Sequence, residues 1–195
     1  MPRLCVYCGS HVGAVASYER MARELGVTLA ERGVGLVYGG GSVGLMGALA
    51  SAALAAGGEV TGVITDQLVG AEVALHEVTR LEVVPTMHER KARMEQLADG
   101  FIVLPGGFGT VDEFAEMLTW NQLGIVAKPV VLLDVDGYWQ HLVAWVDHAT
   151  EAGFVRPVHR QLLQIADSSD DAVRLALSPA PEMPVKWDRG APPRP

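Results

Sequence analysis

Short apolar runs alternate along the chain with longer segments in which apolar residues recur at helical spacing. The short runs predict β-strands at residues 4–8, 34–38, 59–64, 77–84, 100–105 and 129–134. The periodic segments predict helices at residues 16–32, in the small-residue segment that ends at Gly57-Gly58, at 87–98, 110–123 and 137–152, and from the Ser168 cap to about 177. Residues 65–76 show neither pattern and are predicted to form an irregular loop.

This alternation of strand and helix predicts an α/β fold. We expect a Rossmann-like, doubly wound and mainly parallel sheet with helices on both faces. Ligands of such sheets bind at the carboxyl ends of the strands, near the point where the strand order reverses. Residues 1–177 are predicted to form one nucleotide-binding catalytic domain. Residues 178–195 are rich in proline and are predicted to be a disordered tail.

Composition and charge narrow the range of partners. The net charge of -8 supplies no basic field, so we expect neither a nucleic-acid partner nor an anionic membrane surface. The apolar runs are shorter than the roughly 20 residues that span a bilayer, and the first ten residues lack the pattern of a secretion signal. These features predict a cytoplasmic protein.

Candidate metal ligands are few. Cys5 and Cys8 form a C-x-x-C pair, but this pair lies in a predicted strand, and no second Cys or His pair would complete a zinc site. The six histidines are scattered without ligand spacing. We therefore expect no metal and two reduced cysteines.

Glycine-rich turns follow three of the predicted strands. They contain Ser10 after the first strand, Gly41 after the second, and the segment PGGFGTVDE at 105–113 after the fifth. A glycine-rich turn that leads into a helix presents free backbone N–H groups and binds phosphate. Gly39, Gly41 and Gly44 also fit the dinucleotide pattern G-x-G-x-x-G, although a tight turn with close helix packing explains the same glycines.

The segment PGGFGTVDE combines this anion-binding feature with a carboxylate. Thr110 and Glu113 are spaced as a capping box, in which Glu113 would only satisfy a backbone N–H. Alternatively, Glu113 lies in the first helical turn and points into the cleft before the strand ends. A carboxylate there suits a sugar hydroxyl, a water nucleophile or a developing cation.

Two further segments supply candidate charges. Arg90 lies in the first turn of the predicted helix at 87–98, where it either faces the same cleft or belongs to a solvated basic surface. A guanidinium in the cleft would offset Glu113 and a phosphate together. Glu72 lies in the loop after the third strand, at the same edge of the sheet or simply on the surface.

Several segments closely resemble the LONELY GUY family of cytokinin riboside 5'-monophosphate phosphoribohydrolases, whose members are often mislabelled lysine decarboxylases. The matching segments are CVYCGS at 5–10, YGGGSVGLMG at 38–47, MHERKARM at 87–94, LPGGFGTVDEFAEMLTWNQLGI at 104–125 and KPVVLLDVDGYW at 128–139. The resemblance spans residues 4–177. It implies hydrolysis of the N-glycosidic bond of an adenine-type nucleoside 5'-monophosphate, without a cofactor, by a homodimer.

The resemblance also implies the site residues. The catalytic pair of the family falls on Arg90 and Glu113. Its phosphate and substrate positions fall on Gly106, Gly107, Gly109, Thr110, Ser10, Glu72, Lys91 and Thr119. Two alternatives remain at this point, namely a nucleotide or molybdenum-cofactor carrier of the same fold and an NAD(P)-dependent oxidoreductase that uses the turn at 39–44. A lysine decarboxylase fits poorly, because no lysine stands in a setting suited to a Schiff base.

Overall fold

The chain folds around one parallel β-sheet. A computed structural model describes residues 1–69 and 74–181. The sheet has seven strands, and every pairing in it is parallel. The strands are β1 Arg3–Tyr7, β2 Gly35–Tyr38, β3 Val60–Thr65, β4 Arg80–Val84, β5 Gly100–Val103, β6 Val130–Leu133 and β7 Leu163–Ala166.

Helices cover both faces of this sheet. They are α1 Ala16–Glu31, α2 Gly44–Ala55, α3 Asp66–Val69, α4 Met87–Leu97, α5 Phe108–Gln122, α6 Gln140–Glu151, α7 Pro157–Arg160 and α8 Ser169–Ala176. Helices α1, α2 and α8 pack on one face through small and aliphatic side chains such as Leu25, Leu49 and Val173. Helices α4, α5 and α6 pack on the other through larger side chains such as Met94 and Phe114. The predicted doubly wound α/β fold is therefore confirmed.

The strand order places the end of β1 beside the end of β5. The order across the sheet is β4-β3-β2-β1-β5-β6-β7, so the winding reverses between β1 and β5. Tyr7 at the end of β1 is paired with Val103 at the end of β5. Connections that leave these two strands diverge to opposite faces and open a crevice between them, which is where such sheets bind ligands.

Three short elements were not predicted. Strand β7 is only four residues long and lies at the sheet edge, paired with β6 alone, so its apolar run is too brief to stand out. Helix α7 has four residues and begins at Pro157. Helix α3 has four residues and lies in the segment that we predicted to be an irregular loop. Strand β4 also begins at Arg80, three residues later than the apolar pattern indicates.

Two predictions fall at the limits of the described chain. Glu72 lies outside the described residues, and so does most of the predicted tail, from residue 182 onward. Across residues 1–69 and 74–181, no helix is both long and apolar enough to cross a membrane. Over the same ranges, no cluster of three or more His, Cys, Asp or Glu side chains could hold a metal ion. Cys5 and Cys8 are both free and buried.

Candidate active site

A cavity of about 490 Å³ lies in the crevice between the ends of β1 and β5. Its size is in the range of small-molecule sites. The turn after β1 forms one wall, the turn after β5 and the start of α5 form another, and the first turn of α4 closes the third side. Seven of the predicted site residues line it together: Ser10, Arg90, Gly106, Gly107, Gly109, Thr110 and Glu113.

Backbone hydrogen bonds hold the turn after β1 between two neighbours. The N–H of Gly9 donates to the carbonyl of Pro105 at 3.0 Å, which ties this turn to the start of the PGGFGT segment. The carbonyl of Gly9 accepts from the N–H of Leu45 at 3.1 Å, which ties the same turn to the first turn of α2. Ser10 is thereby fixed at the mouth of the cavity, beside the segment that begins α5.

The N-terminus of α5 is open toward the cavity. Gly107 is the N-cap, and the first helical hydrogen bond runs from the N–H of Val111 to the carbonyl of Gly107 at 3.1 Å. Among the described residues, nothing accepts from the N–H groups of Phe108, Gly109 and Thr110. Free N–H groups at a helix N-terminus, together with the helix dipole, form an anion site.

The glycines of this turn have two different reasons. A Cβ on Gly106 would lie 2.1 Å from Oγ1 of Thr110 and 2.9 Å from the backbone N of Gly9, so packing within the protein excludes a side chain there. A Cβ on Gly107 or Gly109 would meet no atom within 4 Å. The protein itself leaves that space free, as a turn that brings its backbone close to a ligand requires.

The capping-box interpretation of Thr110 and Glu113 is wrong. Because α5 begins at Phe108, Thr110 is already its third residue and cannot be the N-cap. Glu113 instead receives a hydrogen bond at Oε1 from Nη1 of Arg90 at 3.0 Å. Its Oε2 accepts no hydrogen bond from the described residues, and this oxygen remains available to a ligand in the cavity.

Arg90 is buried and connects three elements. Its Nε donates to the carbonyl of Val63 on β3 at 2.9 Å, and its Nη2 donates to the carbonyl of Gly39 after β2 at 3.2 Å. Its Nη1 holds Glu113 on α5. A Cβ on Gly39 would lie 2.1 Å from Nη2, so this glycine makes room for the guanidinium. Arg90 is therefore part of the cleft and not of a solvated basic surface.

Burial changes the acidity of Glu113. Only 9% of this residue is exposed, and desolvation raises the pKa of its carboxyl group from about 4.5 to about 6, against the lowering effect of the Arg90 guanidinium. The group is ionised at neutral pH and can still accept a proton from a ligand. This combination suits a general base or a carboxylate that stabilises a cation.

A second ion pair neutralises the next carboxylate of α5. Nζ of Lys91 lies 3.0 Å from Oδ2 of Asp112 and 3.2 Å from Oε1 of Glu116. Lys91 and Arg90 thus each compensate a carboxylate near the start of α5. For this reason Asp112 and Glu113 do not cancel the attraction of the helix N-terminus for an anion.

Three predicted site residues lie away from the cavity wall. Gly41 forms an isolated antiparallel bridge with Ala74 and is buried. Lys91 points to Asp112 and Glu116 as described above. Oγ1 of Thr119 donates to the carbonyl of Ala115 on the exposed side of α5 at 2.8 Å. The binding roles implied for these three residues remain predictions.

The cavity also has lining residues that sequence reasoning did not single out. Phe108 is 98% exposed at the rim, and His11 lies beside Ser10 with its Nδ1 3.4 Å from the serine Oγ. Tyr138 lines the cavity from the turn between β6 and α6, and its hydroxyl donates to the carbonyl of Gly106 at 2.6 Å. Its position just after a strand adjacent to β5 was the available signal.

Solved structures share the fold over nearly the whole chain. A molybdenum cofactor binding protein from Rippkaea orientalis aligns with a TM-score of 0.68 and 26% identity, over 89% of this chain and 94% of that one. A molybdenum cofactor carrier protein from Chlamydomonas reinhardtii aligns with a TM-score of 0.69 and 25% identity, over 90% and 98% of the two chains.

Sequence relatives are considerably more similar. A probable cytokinin riboside 5'-monophosphate phosphoribohydrolase of Oryza sativa subsp. japonica is 50% identical over 88% of this chain and 75% of its own length. A cytokinin riboside 5'-monophosphate phosphoribohydrolase of Arabidopsis thaliana is 46% identical over 88% and 79%. The family model described as possible lysine decarboxylase matches residues 46–176. With its cavity between β1 and β5 and these relatives, the chain belongs to the LONELY GUY family of cytokinin riboside 5'-monophosphate phosphoribohydrolases.

Proposed function

We propose that this protein hydrolyses the N-glycosidic bond of cytokinin riboside 5'-monophosphates, of AMP, or of both, to give the free base and ribose 5-phosphate. One observation supports this most directly. A buried carboxylate, Glu113, lies one helical turn from the open N–H groups of Phe108, Gly109 and Thr110. A nucleoside 5'-monophosphate presents an anion and a cleavable sugar carbon at comparable separation.

In the proposed reaction, the phosphate binds at the N-terminus of α5, where Gly107 and Gly109 allow close approach. The bond between C1' of the ribose and the base nitrogen breaks, and its electron pair leaves with the base. The sugar passes through a state with oxocarbenium character, which the negative charge of Glu113 stabilises. Water adds its oxygen to C1', and the proton that water releases balances the protonation of the base.

Arg90 has a supporting role in this proposal. Its guanidinium holds Oε1 of Glu113 and leaves Oε2 toward the cavity. It remains protonated at neutral pH and is therefore not a proton donor to the leaving base. Its two bonds to the carbonyls of Val63 and Gly39 fix its plane, so that Glu113 is oriented before the substrate arrives.

The function is tested by incubating the protein with AMP and, separately, with isopentenyladenine riboside 5'-monophosphate. Chromatography should show free adenine or isopentenyladenine together with an equal amount of ribose 5-phosphate. The ratio of kcat/KM for the two substrates gives the base preference. Tight binding of both nucleotides without release of base would contradict hydrolysis and favour a carrier.

The other activities find less support in the described residues. Nζ of Lys91 is held by Asp112 and Glu116, and Nζ of Lys128 by Glu95, so neither lysine is placed to form a Schiff base in the cavity. The turn at 39–44 is filled by the protein, because a Cβ on Gly44 would lie 2.2 Å from the backbone of Ser10. This favours packing over dinucleotide binding there.

We also propose that the protein acts as a homodimer, as its resemblance to the family implies. Lys91 and Thr119 lie outside the cavity of the single chain, although the family places substrate contacts at these positions. A second copy beside α5 would give both residues a setting that one chain does not provide.

The acid limb of the activity should follow the ionisation of Glu113. Because burial raises the pKa of this carboxyl to about 6, the fraction of active carboxylate falls as the pH falls through 6, and kcat should fall with it. A substrate phosphate also titrates near about pH 6, so the rate profile needs an independent measurement. Carbon-13 NMR of carboxyl-labelled glutamates in the free protein should show one signal that titrates near pH 6 and disappears in Glu113→Gln. Titration of that signal near pH 4.5 would contradict the role of burial.

A further inference from the structure

The turn between β6 and α6 (residues 134–139) leans on the turn that precedes α5. The phenol hydroxyl of Tyr138 donates to the carbonyl of Gly106 at 2.6 Å, although the two residues are 32 positions apart. Tyr138 also lines the cavity. This is a side-chain hydrogen bond from a third chain segment to the backbone of the proposed phosphate site.

The donor is held rigidly before any ligand binds. Oδ1 of Asp134 accepts from the N–H of Trp139 at 2.8 Å, and the buried Trp139 packs in the core on the face of α4 and α5. Oδ2 of Asp136 accepts from the hydroxyl of Ser17 on α1 at 2.5 Å. The ring of Tyr138 contacts that of Trp139 edge-on at 4.8 Å. The hydroxyl of Tyr138 therefore has little freedom to leave Gly106.

The acceptor controls the direction of an N–H group. In a trans peptide the carbonyl and the next N–H point in opposite directions, and the described residues contain no cis peptide. Fixing the carbonyl of Gly106 thus fixes the N–H of Gly107, the N-cap of α5. Gly106 is packed on its other side by Thr110 and Gly9, so the bond from Tyr138 completes its restraint.

We propose that Tyr138 is a positioning residue that orients the Gly106–Gly107 peptide, and with it the N-terminus of α5, for the phosphate group of the substrate. The inference rests on the proposed function, because it assigns the α5 N-terminus to the phosphate. A glycine-rich turn with open space at Gly107 and Gly109 is otherwise free to rotate its peptides. Holding one peptide in advance lowers the cost of ordering the turn when the phosphate binds.

The test compares the intact protein with Tyr138→Phe, which removes the hydroxyl and keeps the ring. We expect KM for AMP to rise roughly 3- to 10-fold, as for one lost hydrogen bond, with kcat within about twofold. The inhibition constant of ribose 5-phosphate should rise by the same factor. Inhibition by adenosine, which lacks the phosphate, should not change.

The matched control is Thr150→Val on α6, which removes another hydroxyl-to-carbonyl bond, of 2.8 Å to Val146, away from the cavity. It should leave all three constants unchanged. An unchanged KM for AMP in Tyr138→Phe, or an equal weakening of AMP and adenosine, would overturn the positioning role. Tyr138→Leu removes the ring as well; if only this variant weakens AMP, the ring and not the hydroxyl acts.

The two proposals can fail separately. If the wild-type protein releases no base, the proposed hydrolysis fails, and calorimetric binding of AMP, ribose 5-phosphate and adenosine to the same variants still decides the role of Tyr138. If base is released normally and the phosphate-dependent shift is absent, only the role of Tyr138 fails. Thermal unfolding of each variant shows that it is folded at the assay temperature.

Discussion

Replacing Glu113 by glutamine should lower kcat for base release by roughly 10²–10⁴-fold, the range of a lost general base or charge-stabilising group. Glutamine has nearly the same shape, so it keeps one oxygen as an acceptor for Nη1 of Arg90. It lacks the negative charge that would stabilise the cationic sugar and cannot take a proton from water. The KM for AMP should change much less than kcat, because the phosphate binds elsewhere on the turn.

Steady-state measurement of free adenine with purified Glu113→Gln checks this expectation. Glu95→Gln is the matched control: Glu95 is a mostly buried carboxylate on α4 that is paired with Lys128 at 2.5 Å, outside the cavity wall. It should retain turnover within about threefold, since it touches no reacting atom. Near-normal turnover of Glu113→Gln would refute the proposed chemistry, whatever the control shows.

Glu113→Asp separates the charge of this side chain from its reach. Aspartate keeps the negative charge and is one methylene shorter, so the carboxylate is withdrawn from the cavity and from Arg90. Misplacement of a catalytic group by about 1 Å can cost about 10²-fold in rate. We expect kcat of this variant to lie between that of the wild type and that of Glu113→Gln.

The location of the site could be predicted because it depends on local patterns. The PGGFGTVDE segment follows a continuous apolar strand, and such strands end at one edge of a parallel sheet. That reasoning is sufficient to bring Arg90 and Glu113 near each other. It does not give the strand order, which is why the contact of Gly9 with Pro105 across β1 and β5 becomes visible only in the structure.

Side-chain partners could not be predicted in the same way. Arg90 binds the carbonyl of Val63 and that of Gly39, and these carbonyls belong to two strands whose neighbourhood is a tertiary property. The T-x-x-E spacing at Thr110 indicated a capping box, but the helix begins earlier because the turn continues directly into α5. Tyr138 was missed because a single aromatic residue after a strand has no distinctive spacing.

The ion pair of Arg90 with Glu113 predicts an unusual dependence of stability on both partners. Replacing Arg90 by methionine leaves a buried carboxylate without its counterion, which costs about 3–5 kcal/mol in the free energy of unfolding at neutral pH. It also leaves the carbonyls of Val63 and Gly39 without their donor. Activity should fall at least about 10²-fold, since Glu113 loses its orientation. Urea unfolding and the adenine assay measure the two effects.

The control for this loss is Arg93→Met on the same helix. Arg93 pairs with Glu82 at 2.6 Å and is partly exposed, so its removal should cost at most about 1 kcal/mol. The double variant Arg90→Met/Glu113→Gln should be more stable than Arg90→Met alone, because the uncompensated charge is then absent. A double variant as unstable as the sum of the two single variants would show that the pair is not coupled.

The pH dependence of the Arg90→Met variant provides the sharpest sign. The guanidinium of Arg90 lowers the pKa of Glu113, so without it the pKa of this carboxyl in the folded protein rises further above 6. A carboxyl whose pKa is raised by folding binds its proton more tightly in the folded state, so its contribution to stability is complete below about pH 4.5 and is lost as the pH rises through the folded pKa. The difference in unfolding free energy between wild type and Arg90→Met should therefore be larger at pH 8 than at pH 5. A difference that is constant across this range would mean that the cost comes from the lost carbonyl bonds and packing of Arg90, and not from the charge of Glu113.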